Sequence, residues 1–473
     1  MKTTALKWVT VLTLFFSTSQ LIAQTDSNQT GDMMDLQDCI DYAFANTGTI
    51  KNAVIEQGIS QAKVGEIISM GLPQIDMEGQ LINNAKIQKS YVPGNTFDPN
   101  GDPNETIGLE FGTPFLSNVQ LTANQLLFDG TFFIGVKAAK VYNELSAKEL
   151  IRSKIDVVEA VTQAYYYVLV QEEYLELINR NKEILEDLYN ETKATYEAGM
   201  VEEIEFNRIE VTYNSILIQQ TQLEQLQIIA KKLLKFQMGM DINAPLQLAQ
   251  SLEDFRDFIV TPTDLAEASR RIEYSIMMTN IKLNNFDIRA TKAEYWPKLY
   301  AFGNYGVNTA STQFTDLYGL TGDFLSVGVS LSWKIFDGFN RSKRIEQKKL
   351  KGQQLQNTKT DLERQISIEQ EQSRITYETN LSTLNLQEKN MNVADKVYTN
   401  TQVKFKNGVG SSLEITTSAQ DYQTAANSFY TSLYDVLVAK LAFEKANGRL
   451  LNYIESEDKS KDEETLQKHN KGK

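Results

Sequence analysis

The sequence predicts an α+β fold of long antiparallel helical hairpins joined to a few short strands, arranged in two similar halves. The eight prolines fall in a few places and leave long spans without a helix breaker. Apolar residues in those spans recur every three or four positions, the period of a helix that packs against another helix. Phe128-Asp129-Gly130 returns as Phe336-Asp337-Gly338, each time between an alternating segment and a long helical span. The chain is therefore predicted to be a tandem duplication.

The N-terminus has the features of a secretory signal peptide over residues 1–23. Lys2 and Lys7 precede an apolar run from Trp8 to Phe16, and a small residue, Ala23, marks the expected cleavage point. No cysteine stands at the expected cleavage point, so a lipid-anchored mature N-terminus is not expected there. No later segment reaches the ~18 apolar residues that a membrane helix needs, so only strands are expected to span a bilayer.

Composition argues against several functional classes. Acidic residues outnumber basic ones by 61 to 47, so nucleic acid is not an expected partner. The chain has one histidine, His469, and one cysteine, Cys39, so neither a Ser-His-Asp site nor a Cys/His metal cluster is expected. We therefore predict no cofactor, no metal and no enzymatic activity.

The helical spans differ in length in a way that indicates their arrangement. The apolar seam through Val161, Tyr165 and Val168 belongs to a long helix predicted over 131–197, which is followed by a return helix over 203–237. The second half repeats this with helices over 339–406 and 412–447. A span of 67 residues is about 100 Å of helix, and the return helix covers half of that distance. We expect a second short helix, within 35–70, to stack end to end with it.

Four segments alternate apolar and polar residues and are predicted as strands: 73–82, 118–128, 297–307 and 324–336. Each is close to the ~9 to 11 residues of a tilted membrane-crossing strand. A half-buried sheet of a soluble protein fits the strands equally well when they are taken alone. The third strand carries aromatics on both faces, which leaves its orientation open. Aromatic residues that suit a membrane interface collect at the strand ends: Phe128, Tyr295, Trp296, Trp333 and Phe336.

The repeat sets the predicted domain boundaries. Tyr189 and Gly199 match Tyr398 and Gly408 at an offset of 209, whereas Pro73 matches Pro297 at 224. The first structural repeat is placed at 24–245, a linker at 246–263, the second repeat at 264–454 and a charged tail at 455–473. The extra residues of the first half fall in a polar loop around 91–113. Four strands are fewer than the ~8 of the smallest membrane barrels, so several copies are expected to share one barrel.

These features together resemble the TolC-like outer-membrane efflux proteins. The resemblance covers nearly the whole mature chain and rests on the order and spacing of the two Phe-Asp-Gly junctions, the Pro-opened strands, the duplicated hairpins and two turns, 196–199 and 405–408. It implies a homotrimer with a shared twelve-stranded barrel in outer-membrane lipid and a periplasmic helical tube. The implied partners are a periplasmic adaptor and an inner-membrane RND or ABC pump.

The resemblance also implies roles for residues at the hairpin turns. The acidic gate position of the family is matched by Glu414 and, in the first half, by Glu205. A second gate acid three residues further on is absent, since Thr417 and Arg208 stand there. Ordinary early-helix acids favoured by the helix dipole would look the same. The candidates for contact with the adaptor are Gly199, Met200, Gly408, Val409 and Gly410.

The predicted function is a passive export conduit from the periplasm to the exterior, in a tripartite efflux or type I secretion system. The alternative is a periplasmic or surface coiled-coil structural protein, which would need neither alternating strands nor interfacial aromatics. The sequence does not separate drug, metal, peptide and protein cargo.

Overall fold

A computed structural model describes residues 33–97, 99–100, 102–256, 265–319 and 321–451. The predicted signal peptide at 1–23 and the charged tail at 455–473 lie outside the described residues, as does part of the predicted linker. Within the described ranges the chain combines long helices with antiparallel sheet, so the predicted α+β class is confirmed.

The first half runs through two short helices, four strands and a long helical hairpin. Its elements are α1 (Leu36–Asn46), α2 (Gly48–Ser69), β1 (Gln74–Asn83), β2 (Lys89–Pro93), β3 (Thr106–Glu110), β4 (Phe115–Phe128), α3 (Gly130–Glu197) and α4 (Glu203–Met238). A short helix, α5 (Glu253–Arg256), follows. Helix α3 has 68 residues and is therefore about 100 Å long.

The second half repeats the order of α2, β1, β4, α3 and α4, and within the described residues it has neither the small strand pair nor an α-helix at the place of α1. Its elements are α6 (Ile272–Ala293), β5 (Lys298–Ser311), β6 (Thr321–Ser332), α7 (Asn340–Lys406) and α8 (Ser412–Ala446). Helices α2 and α6 each have 22 residues and begin at residues 48 and 272, which are 224 apart. Helices α4 and α8 begin at 203 and 412, which are 209 apart. These are the offsets, 224 and 209, that also separate Pro73 from Pro297 and Gly199 from Gly408 in the sequence.

The four long strands form one antiparallel sheet in the order β1-β4-β5-β6. The register aligns Met77 with Leu121, Leu121 with Tyr305 and Tyr305 with Leu325. Residues in register across a sheet share a face, so Tyr305 lies on the apolar face. The neighbouring Phe302 lies on the opposite face. The orientation of the third strand, which the sequence left open, is decided by its pairing with β4 and β6.

A β-bulge at the end of β4 changes which face its last residue occupies. Leu126 pairs with Tyr300, but Phe128 pairs with Leu299, so Leu127 is the extra residue. Without the bulge Phe128 would lie on the polar face. With it, Phe128 shares the apolar face with Leu299 and Leu331.

The last strand begins and ends earlier than its predicted range of 324–336. Strand β6 runs from Thr321 to Ser332, which pairs with Lys298, the first residue of β5. The residue before Lys298 is Pro297, which has no N–H to continue the ladder. The Trp333 indole N–H donates to the Tyr295 carbonyl oxygen at 3.0 Å, and Arg341 donates to the Lys334 carbonyl oxygen at 2.6 Å. The apolar alternation continues past the strand, but the backbone pairing does not.

The polar loop between β1 and β4 contains a small sheet that the sequence did not predict. Strands β2 and β3 pair antiparallel, with Tyr91 opposite Gly108. Each of these strands has only five residues, too few to show a clear alternation of apolar and polar residues. The surrounding Gly, Pro, Asn and Asp residues predict a loop instead.

Helix α3 packs against α4 along one part of its length and against α2 along another, and α7 packs in the same way against α8 and α6. The predicted helical span 35–70 is broken at Thr47, whose backbone is extended and whose hydroxyl donates to the Ala43 carbonyl oxygen at 2.8 Å. Helix α1 turns there to pack against α3, where Cys39 is buried and burial raises the pKa of its thiol to about 12. The core continues beneath it around Tyr165 and Phe255, whose rings meet edge to face at 6.1 Å.

Among the described residues, no helix combines the length and the apolar character needed to cross a membrane.

Two helix-ending glycines offer a matched test of this packing. Gly239 and Gly199 both have a positive φ, 70° and 73°. A Cβ at Gly239 would lie 3.0 Å from the Asn46 backbone, whereas a Cβ at Gly199 would meet nothing within 4 Å. Gly199→Ala should therefore cost only the left-handed backbone penalty of about 1 kcal/mol. Gly239→Ala should cost about 1 to 3 kcal/mol more because α1 must shift.

The measurement is thermal loss of helical circular dichroism in detergent, with Gly199→Ala as the control. Equal melting temperatures for the two variants would contradict the close contact between α4 and the end of α1.

Candidate functional site

The two hairpin turns at the far end of the long helices have the same backbone geometry. Gly199 follows α3 with φ 73°, and Gly408 follows α7 with φ 75°. In the first turn the Met200 N–H donates to the Thr195 carbonyl oxygen at 2.9 Å, and in the second the Val409 N–H donates to that of Lys404 at 3.1 Å. This is the Schellman pattern, which needs a left-handed residue and so favours glycine.

The residues after these glycines are highly exposed apolar side chains. Met200 is 79% exposed and Val409 is 77% exposed. Gly410 lies against the end of α7, where a Cβ would come within 3.0 Å of the Phe405 backbone nitrogen. The five predicted adaptor contacts therefore sit at the two tips, with one apolar side chain presented by each turn.

Glu205 joins the two hairpins at this end. It lies in the first turn of α4, and its carboxylate accepts a hydrogen bond from the Ser412 backbone N–H, at the start of α8, at 2.8 Å. Arg208 lies 3.6 Å from the same carboxylate. The bond from Ser412, with Arg208 nearby, holds the pKa of the Glu205 carboxyl below its ordinary value. Glu205 thus satisfies an amide at the N-terminus of a helix in the other hairpin.

Glu414 is placed differently although it occupies the matching sequence position. Its side chain is exposed, and its backbone N–H donates to the Ser411 hydroxyl at 3.2 Å. Ser411 is therefore the N-cap of α8, and Glu414 stands at the third helical position. The structure brings both predicted acids to the same end of the protein but gives them different surroundings.

Open space separates the hairpins on both sides of the Glu205 contact. A cavity of about 460 Å³ lies between the two turns and is lined by Met200, Glu205, Phe405 and Gly408, among others. A second cavity, of about 560 Å³, lies between α4 and α8 and is lined by Ile204, Arg208, Leu413 and Thr417, among others. The tips therefore touch at a few points and are not packed together.

Stacked tyrosines hold each hairpin together close to its turn. Tyr189 stacks on Tyr213 with ring centroids 5.2 Å apart, and Tyr398 stacks on Tyr422 at 5.7 Å. The two pairs occupy matching positions, 209 residues apart. Each hairpin is therefore packed internally near the tip, while the contact between hairpins is sparse.

The predicted interface aromatics gather at the helical end of the sheet. Phe128 stacks on Trp296 with centroids 6.3 Å apart. The Arg341 guanidinium lies over the Tyr295 ring at 4.3 Å. All five predicted aromatics are exposed: Phe128, Tyr295, Trp296, Trp333 and Phe336. They lie between the strands and the helices as one exposed aromatic group, a feature that marks an interaction surface.

The described part of the chain contains no group of three or more His, Cys, Asp or Glu side chains that could hold a metal ion.

The sequence did not reveal Ser412 as a partner of Glu205, because no local pattern predicts a contact between residues 207 positions apart. The Ser411-x-x-Glu414 spacing was a signal for the cap of α8.

The Glu205 contact predicts a specific change in amide exchange. In Glu205→Gln the Ser412 N–H loses a charged acceptor, so its hydrogen exchange should accelerate about tenfold or more. Glu414→Gln, which removes an exposed carboxylate from the same end, should leave it unchanged. The hydrogen bond from Ser412 stabilises the charged carboxylate of Glu205, which is why the pKa of that carboxyl is lowered. The Ser412 amide should therefore be fully protected from exchange at neutral pH. Its protection should fall as the pH drops below the ordinary range of glutamate and Glu205 is protonated.

Hydrogen-exchange mass spectrometry of peptides covering the start of α8 measures both effects. Equal exchange in the two variants would show that the Glu205 contact does not protect this amide.

No protein-family model and no curated protein matches the sequence. Solved structures do match. The CusC structure has a TM-score of 0.67 at 14% identity and covers 90% of this chain and 95% of that chain. The Campylobacter jejuni CmeC outer membrane channel has a TM-score of 0.67 at 16% identity, with 89% of each chain covered. The open state of the Neisseria gonorrhoeae MtrE outer membrane channel gives 0.67 at 16%, covering 88% and 89%.

These likenesses extend over nearly the whole described chain at low sequence identity, so they concern the fold. The resemblance stated from the sequence is confirmed at that level: the chain has the fold of the TolC-like outer-membrane channels.

Proposed function

We propose that the chain is a subunit of an outer-membrane export channel, a passive conduit that opens when a periplasmic adaptor and an inner-membrane pump dock on it. The solved structures that it resembles are described as outer-membrane or transmembrane channels and not as enzymes. This supports a transport role and agrees with the expectation that the chain is not an enzyme. The proposed location is the outer membrane, with the helices in the periplasm.

The observation that carries the proposal is the incomplete sheet. Strands β1 and β6 are the two edges of the four-stranded sheet, and each pairs on one side only. The face that they share is apolar and exposed, with Met77 74% and Val327 79% accessible. Open edges and an apolar face are both unfavourable in water, and open edges are unfavourable in lipid as well. Pairing β1 of one copy with β6 of the next closes the edges, lipid around the barrel covers the apolar face, and three copies give the twelve strands expected of the family.

Exposed apolar stripes on the helices support the same assembly. One stripe runs along α4 and another along α7, both with the 7- and 11-residue spacing of helices that pack against a partner. The α4 stripe is Ile204, Val211, Ile218, Ile229 and Phe236, and the α7 stripe is Ile368, Ile375, Leu386 and Val393. Neither stripe is covered within the described chain. We propose that neighbouring copies cover them and so close the helices into a tube.

The tips would then form the periplasmic entrance, with Met200 and Val409 presented to the adaptor. Of the two proposed gate acids, Glu205 is held by Ser412 within its own subunit, and Glu414 is exposed. Three copies of Glu414 around the axis would concentrate cations at the mouth. Glu205 would act by setting the position of α8, on which Glu414 stands.

The assembly is tested by introducing charge into the stripes. The unaltered protein should run as heat-modifiable trimers and give single-channel currents in planar bilayers. Ile218→Asp combined with Ile375→Asp should lower the trimer fraction, because two carboxylates would be buried at each interface. The control keeps the stripes apolar at the same two positions, as Ile218→Leu with Ile375→Leu, and should assemble as the unaltered protein does.

A monomer that stays soluble without detergent would contradict the channel and would favour the alternative of a periplasmic coiled-coil structural protein. Trimers that are equally stable in both variants would contradict the proposed role of the stripes.

The gate assignment is tested by single substitutions. Glu414→Gln should weaken block by divalent cations several-fold, because the carboxylate ring is neutralised, and should leave trimer assembly intact. The matched control is Glu210→Gln, which changes an acid further along α4. If divalent cations block the current equally in Glu414→Gln, in Glu210→Gln and in the unaltered protein, Glu414 is not part of the gate.

A further inference from the structure

A group of cations lies where α3 and α6 run side by side toward the sheet. The two helices are antiparallel neighbours there: Lys282 pairs with Glu144 at 2.9 Å, and the Lys148 ammonium donates to the Thr279 hydroxyl at 2.7 Å. Those contacts mark the seam between the helices and show which face of each helix borders it. Residues three, four or seven positions closer to the sheet on each helix lie on the same face and therefore also border the seam.

Four basic side chains continue this seam, which we call the basic seam: Lys137 and Lys140 on α3, and Arg289 and Lys292 on α6. Lys137 and Lys140 lie seven and four residues before Glu144, on the same helical face. Arg289 lies seven residues after Lys282 and Lys292 ten after it. All four side chains are exposed.

None of the four has a carboxylate partner within salt-bridge distance in the described chain, and the acids around them are already engaged. Asp129 pairs with Lys298 at 2.8 Å. Asp287 pairs with Lys348 at 2.8 Å, and Glu294 pairs with Arg344 at 2.7 Å. The basic seam therefore carries uncompensated positive charge.

The charge of this region is opposite to that of the whole chain. The ranges 129–143, 286–298 and 334–352, which surround the helical end of the sheet, hold 12 basic and 5 acidic residues, whereas the chain as a whole has a net charge of -14. Like charges held close together repel one another unless an anion lies between them.

The basic seam begins next to the interface aromatics. Phe133 lies four residues before Lys137 on the same face of α3, and its ring contacts Phe128 with centroids 6.1 Å apart. Phe128 is on the apolar face of the sheet. Lys137 is thus about 6 Å and Lys140 about 10 Å along the helix from Phe133, within the depth of a headgroup layer and the reach of a lysine side chain.

We propose that the basic seam binds the phosphate groups of anionic phospholipids in the membrane leaflet that adjoins the helices. The inference rests on the proposed function, because it requires the apolar face of the sheet to lie in a bilayer. Unpaired lysine and arginine beside an apolar band favour an anionic lipid surface, since the chains of the lipid meet the aromatics while its phosphate meets the cations. The lipid supplies the anion that the protein itself lacks at this place.

The test is native mass spectrometry of the detergent-solubilised trimer with added phosphatidylglycerol or phosphatidylcholine. The unaltered protein should retain phosphatidylglycerol in preference to phosphatidylcholine, and the preference should fall at 1 M salt. Neutralising the basic seam, as Lys137→Gln, Lys140→Gln, Arg289→Gln and Lys292→Gln together, should reduce retention of phosphatidylglycerol about tenfold or more.

The matched control neutralises four exposed lysines far from the sheet that also have no salt bridge in the described chain, as Lys193→Gln, Lys232→Gln, Lys389→Gln and Lys396→Gln, and should retain the lipid. Exchanging the three seam lysines for arginine should retain it as well. Equal retention of the two lipids, equal loss in both glutamine variants, or competition by millimolar inorganic phosphate would overturn the proposal. Trimers that bind phosphatidylglycerol but pass no current would overturn the proposed function instead.

Discussion

In the part of the chain that the structure describes, strands β1 and β6 have no strand partner along the outer edges of the sheet, and the sheet between them exposes an apolar face. Four strands are too few to close into a membrane barrel. In the proposed channel the strands of other copies cover these edges. The rest of the proposed architecture depends on that pairing. The helical hairpins enter and leave the sheet directly, so whatever symmetry joins the strands is also imposed on the helices.

The helices show the same incompleteness over a much longer distance. Each hairpin is closed internally by stacked tyrosines and a continuous apolar seam, yet α4 and α7 keep apolar stripes that nothing in the described chain covers. At the far end the two hairpins of one chain meet through Glu205 and Ser412, with cavities on both sides. Strong packing within hairpins and sparse contact between them would let the tips move as units, as an entrance that opens requires.

The two ends of the molecule differ in charge. Basic residues predominate around the helical end of the sheet, whereas the tips combine Glu203, Glu205 and Glu414 with Lys404 and Lys406 at the end of α7. In the proposed channel this arrangement sets cations beside the lipid phosphates and carboxylates at the entrance. The aromatic residues between sheet and helices mark the boundary between the two environments.

The sequence by itself determined the class of the fold, because proline positions, the helical period and the alternating period are local properties that every competing arrangement must respect. It predicted the places of the turns as well, since a glycine directly after a long helical span favours a left-handed C-cap, as at Gly199 and Gly408. It could not decide the face of Tyr305, the bulge at Leu127 or the end of β6 at Ser332, because these depend on register with strands far away in the chain. The sequence also could not show that Glu205 and Glu414 have different surroundings. The two acids hold matching positions in the repeat, and only the packing of one hairpin against the other gives the first a buried amide to bind and leaves the second exposed.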